Sequence, residues 1–117
     1  MAFEFSDHTT DSGFAYLRMA SAGHTRVEDV DEILRQLQMP GREHGMVLSV
    51  ASGASQDSEA RERFADLTPH FNKMAVVVTR PIARAMINMM LRLNPSSRSK
   101  IRLFGTEAEG LAWLEAE

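Results

Sequence analysis

Four histidines, His8, His24, His44 and His70, are the side chains most suited to ligating a metal or relaying a proton. No two of them stand three or four residues apart, the spacing that sets two ligands on one helix face, so neither a metal centre nor a resident cofactor is expected. Asp29, Asp31 and Glu32 are a carboxylate group that acid–base chemistry or a hard cation would need. In the early turns of a helix such acids first of all complement the helix dipole and form a solvated face. Ser52-Gly53-Ala54-Ser55 offers hydroxyls to a phosphate, but the full glycine pattern and the lysine of a phosphate loop are missing, so a plain loop accounts for it. No serine lies in a nucleophile elbow, and spacing assigns no histidine–acid pair to one. The absence of cysteine excludes disulfides, thiolate metal sites and thiol nucleophiles. The chain therefore reads as a binding protein and not as an enzyme.

Charge is the more informative signal. The net charge is only −3, yet residues 73–105 carry seven bases, Lys73, Arg80, Arg84, Arg92, Arg98, Lys100 and Arg102, and no acid. Arg80, Arg84 and Arg92 share one side of an expected helix, and Lys100 and Arg102 follow on the next strand. These five side chains are the candidates for recognising an acidic protein surface or a small anionic ligand, because the planar fork of arginine grips carboxylates in pairs. The competing reading is that they pair internally with the acidic first and last helices, which would add solubility and little stability. The bases are not interleaved with aromatic residues and the rest of the chain is acidic, which argues against nucleic acid.

The elements that would position these groups follow from periodicity. Phe3 and Phe5 alternate with polar neighbours, Phe14 to Ala20 alternates again, and Thr10-Asp11-Ser12-Gly13 supplies turn chemistry, which predicts a β-hairpin. Thr25-Arg26-Val27-Glu28 reads as a capping box, followed by Val27, Val30, Ile33, Leu34 and Leu37 at helical spacing until Pro40-Gly41. Met46 to Ala51 reads as a buried strand, Ala60, Phe64 and Leu67 as one face of a helix ended by Pro69, and Met74 to Val78 as a central strand. A third helix runs from Thr79-Arg80-Pro81 to Asn94-Pro95, with a broad apolar stripe that includes Met86, Met89 and Met90. Ile101 to Phe104 makes a last strand, and Thr106 to Glu109 is a second capping box opening the final helix.

The resulting order, ββαβαβαβα, predicts an α/β domain over residues 1–117 with a mixed, mostly parallel five-stranded sheet and helices largely on one face. The other sheet face should then need a cover, and a second copy of the chain would supply it, so a homodimer is expected. The carboxyl ends of the parallel strands should gather His24, Thr25, Ser52 to Ser58, Arg80 and Thr106 at one rim, where helix N-termini and Arg80 would suit an anion and His24 and Ser55 are candidate contacts. No apolar run approaches the roughly eighteen residues of a membrane span, and Met1 to Phe5 does not resemble a signal peptide, so a cytoplasmic protein is expected.

This element order, together with Lys100-Ile101-Arg102-Leu103-Phe104, then Thr106-Glu107-Ala108 and Ala112-Trp113-Leu114, resembles the bacterial STAS-like proteins, the group around anti-sigma factor antagonists. The resemblance implies a noncatalytic regulatory module that binds a partner protein. It also implies serine phosphorylation at an Asp-Ser pair opening the helix after the third strand. The matching segment here is Gln56-Asp57-Ser58-Glu59-Ala60, which makes Ser58 the phosphorylation candidate. Glu59 and Ala60 stand in place of the small residue and glycine of the family pattern, and Ser49 where an acid commonly ends the strand. The alternative function is a small carrier binding an anionic or lipid-like ligand beside the third helix, by analogy with CRAL-TRIO-like architecture.

Overall fold

Alternation in the first twenty residues produces the hairpin directly. In the computed structural model, which describes residues 3–21, 24–42, 45–51, 57–78 and 100–116, strand β1 (Phe3–Thr9) pairs antiparallel with β2 (Ala15–Ser21). Gly13 turns the chain at φ 88°, a conformation that a side chain would strain. The Thr10 N–H donates to the Phe14 carbonyl (2.8 Å) and the Gly13 N–H to that of Thr10 (2.9 Å), closing the turn.

Helix α1 (Val27–Leu37) carries the chain from β2 to the parallel strand β3 (Gly45–Ala51). Its cap differs from the sequence expectation. Arg26, not Thr25, is the N-cap residue, and the Asp29 carboxylate accepts its N–H at 2.9 Å. Thr25 is buried and its carbonyl accepts the Asp57 N–H at 3.0 Å, so it ties two loops together and the helix starts one residue later.

The next crossover also departs from a single helix. Helix α2 (Ser58–Arg63) gives way to a 3-10 helix (Phe64–His70) that contains Pro69. Proline lacks the N–H that an α-helical turn needs and crowds the carbonyl four residues earlier, so the segment tightens instead of continuing. Strand β4 (Phe71–Val78) follows, then β5 (Ile101–Phe104), both parallel to β3, and the sheet order is β1-β2-β3-β4-β5. Helix α3 (Glu107–Glu115) closes the described chain with half of the expected capping box: the Glu109 N–H donates to Thr106 Oγ1 at 3.2 Å, while Glu109 Oε1 accepts from the Thr106 hydroxyl at 3.0 Å and not from its N–H. The expected third helix with Arg80, Arg84 and Arg92, the loop carrying Ser55, and His44 lie outside the described residues.

Two apolar layers hold the sheet. On the first face Val30, Ile33 and Leu37 of α1, Ala60 of α2 and Leu67 of the 3-10 helix cover Leu17, Met19, Val47, Met74, Val76 and Val78. On the second, α3 sets Leu114 against Leu48, Ala75 and Val77. Each fully buried aliphatic or aromatic side chain stabilises the fold by about 1.5–3 kcal/mol. The mixed five-stranded sheet is as expected, and α1, α2 and the 3-10 helix share one face. The final helix crosses to the other, so the chain itself covers the middle of the face for which a second copy had been expected.

One irregularity decides what β4 shows to each face. Gly45 pairs with Phe71 but Met46 with Lys73, so Asn72 is an extra residue. Such a bulge breaks the two-residue period. Phe71 therefore enters the first core while Lys73, two positions on, lies with α3 on the second face.

Candidate functional site

The carboxyl rim of the sheet is built by the β2–α1 connection meeting the start of α2. His24 Nε2 lies 2.6 Å from Asp57 Oδ1, and both side chains are nearly half exposed. With the Asp57 N–H on the Thr25 carbonyl, two contacts clamp the residue that caps α2. Ser58 is the first residue of that helix and is exposed. His24, Asp57 and Ser58 are thus brought together as a water-facing cluster whose backbone is fixed from the side. Glu59 and Glu62 extend it as an acidic edge, and Arg63 donates to Asp31 on α1 at 2.6 Å. Among the described residues no group of three or more histidines and carboxylates could hold a metal ion.

The two described bases of the predicted cationic set part company. Lys100, half-buried, directs its ammonium to the Thr68 carbonyl (3.0 Å) and the Phe71 carbonyl (3.2 Å), and lies 5.9 Å from the Phe71 ring. It holds the end of the 3-10 helix to the sheet. Arg102, exposed, lies over the Trp113 ring with its Cζ 5.4 Å from the centroid. Lys73 approaches the same ring to 5.1 Å and donates to the Ala116 carbonyl at 2.6 Å. Phe104 packs beside Trp113, with ring centroids 5.7 Å apart. In the sequence Lys73 is one base among seven and Trp113 one apolar residue of the last helix. Arg102 and Phe104 alternate with Ile101 and Leu103, a legible two-residue period, but the bulge at Asn72 that puts Lys73 beside them leaves no mark in residue types.

A cavity of about 330 Å³ opens at the opposite end of the sheet. The β2–β3 ladder begins only at Leu17 and Val47, so Ala15 and Tyr16 diverge from Gly45 and Met46 and leave a gap. Leu37 helps line it, and the Asp7–Arg42 pair stands at its edge (2.9 and 2.7 Å). Arg42 holds the Asp7 carboxyl below its ordinary pKa, chiefly through that hydrogen bonding.

These features sit on a SpoIIAA-like, that is STAS-like, fold. The structure is similar to the crystal structure of an uncharacterized protein from the DUF3478 family with a SpoIIAA-like fold from Shewanella loihica PV-4, with a TM-score of 0.65 at 13% sequence identity, covering 97% of this chain and 93% of that one. At that identity the likeness shows the fold. The chain belongs to the DUF7793 family, a domain of unknown function whose model matches residues 16–116. No curated protein matches it. No helix among the described residues is long and apolar enough to cross a membrane.

Proposed function

We propose that the protein is a noncatalytic, regulatory protein-interaction module that meets its partner at the carboxyl rim around His24, Asp57 and Ser58. The observation that carries this reading is the clamped cluster: an exposed hydroxyl at the first residue of α2, flanked by Asp57 and Glu59 and held by the His24 and Thr25 contacts. The STAS-like fold supports it, since that fold is generally noncatalytic and often mediates protein interactions. A fixed backbone lowers the ordering cost of binding. A phosphate on Ser58 would add nearly two negative charges between two carboxylates, repelling an acidic partner surface and creating a new site for an arginine-bearing one. Arg80, Arg84, Arg92 and Ser55, which lie outside the described residues, stay proposed partner or anion contacts, and the cytoplasm is the proposed location.

The test is capture of a partner by the intact protein against Ser58→Asp and Ser58→Ala. Aspartate is expected to change capture and alanine to leave it intact, with both variants melting as the parent does. Capture indifferent to both would sink the rim reading. The second reading, a small-ligand carrier, is favoured by the cavity between β2 and β3. The third-helix segment, beside which the sequence places such a ligand, lies outside the described residues. Native mass spectrometry separates the readings: a carrier isolated from its own cells retains a bound small molecule, and an interaction module has the bare mass.

A further inference from the structure

Helix α3 carries three described acids, Glu107, Glu109 and Glu115. Each has a partner other than Lys73 or Arg102. Glu107 accepts from Arg18 on β2 at 2.9 and 3.3 Å, which raises the arginine's pKa above its ordinary value. Glu115 accepts from the Thr10 and Ser12 hydroxyls in the hairpin turn at 3.0 and 3.2 Å. Glu109 is engaged by the cap at Thr106. Internal pairing with the last helix, which would neutralise the basic segment, therefore stops short of Lys73 and Arg102. Among the described residues neither cation has a carboxylate within ion-pair distance.

What they have instead is a shared aromatic face. Lys73 and Arg102 sit on neighbouring strands of one sheet face and both lie over Trp113, which is half-buried against Phe104. The ring holds the two charges at fixed positions without cancelling them, because a cation–π contact leaves the N–H donors of a guanidinium free to point outward. An apolar floor bearing two positive charges that no carboxylate among the described residues pairs complements a carboxylate-rich segment, whose methylene groups can rest on the ring while its acids meet the cations.

We infer that the Lys73, Arg102 and Trp113 patch on the α3 face docks an acidic segment of a partner protein. This rests on the reading of the chain as an interaction module, and it names a second contact surface, distinct from the rim.

Trp113 is the only tryptophan in the chain, so its emission reports on this patch alone. The intact protein is titrated with a blocked hexaglutamate peptide, with hexaglutamine of the same length and with sodium acetate, and calorimetry is run in parallel. Hexaglutamate is expected to change the emission saturably and to bind more weakly as salt rises, and hexaglutamine is expected to do neither. Arg102→Gln should weaken hexaglutamate about fivefold, and Arg102→Lys less, since charge without the planar fork keeps part of the contact. Lys73→Gln should weaken it as well. Because Lys73 also holds the Ala116 carbonyl, Arg102→Gln is the decisive variant, with its melting curve as the control for folding. Calorimetric binding that Arg102→Gln leaves unchanged, equal binding of hexaglutamine, or no binding at all overturns the inference. Acetate matching the peptide at equal carboxylate concentration overturns the peptide as occupant and assigns the patch to small anions. Failure here with Ser58-dependent capture intact removes this surface and leaves the module. Loss of both removes the module.

Discussion

Glu32 stands one helical turn before Arg35 and takes its guanidinium with both oxygens, while Gln36 donates to the same carboxylate at 3.0 Å. The Arg35 hydrogen bonds, then that of Gln36, bring the Glu32 pKa down from 4.5 to about 2. A carboxyl group whose folded pKa lies below its unfolded one favours the fold at pH above the ordinary glutamate range, and the contribution is lost as pH falls from about 4.5 toward about 2. Carbon-detected NMR titration should find the Glu32 midpoint near 2 and move it back toward the ordinary value in Arg35→Gln. A midpoint that ignores the substitution would show that the pair does not persist in solution. Asp29 and Asp31 sit beside it with other duties, Asp29 at the α1 cap and Asp31 on Arg63. The solvated-face reading of this carboxylate group matches Asp31, which is exposed, and only in part Asp29 and Glu32, which are half-buried.

At the scale of elements, Gly110 sets how closely α3 approaches the sheet. A Cβ built there would meet Leu48 Cδ1 at 3.0 Å and the Ala75 Cβ at 3.2 Å. The leucine can turn aside, but the strand alanine cannot. Gly110→Val should cost about 2 kcal/mol through overpacking, lift α3, and shift Trp113 emission toward that of a solvated indole. Unchanged melting and emission would mean that α3 is not packed as described. Much of this layer was legible: the hairpin from its alternation and turn residues, α1 from Val30, Ile33 and Leu37, and the α3 cap from Thr106 and Glu109. What was not legible depended on contacts between distant segments. Thr25 left the cap position because its carbonyl meets the Asp57 N–H, and the Phe64 helix tightened around Pro69. Asn72 bulged where β3 and β4 join, and α3 crossed to a face whose partner residues, Leu48, Ala75 and Val77, are scattered over two strands. The helix with Arg80, Arg84 and Arg92 stays an expectation on residues outside the description. His24 and Ser58 lie at the rim where the topology puts them, but the contact of His24 with Asp57 that fixes that corner was not legible. Nor was the separation of Lys100 from Arg102.

Over the whole molecule, charge and topology divide the surface by role. The sheet's carboxyl rim holds the clamped His24, Asp57 and Ser58 cluster, the α3 face holds Lys73 and Arg102, which pair with none of the described acids, and the opposite sheet end holds the cavity where β2 and β3 diverge. With the main partner proposed at the rim, the most direct measurement is site-specific photo-crosslinking in the cells that make the protein. A photoreactive residue replaces Ser58 in one variant and Gln38, exposed after the end of α1, in another. The rim reading predicts one defined protein adduct from position 58 and none of the same mass from position 38. Adducts indistinguishable between the two positions, or none from position 58, would contradict it.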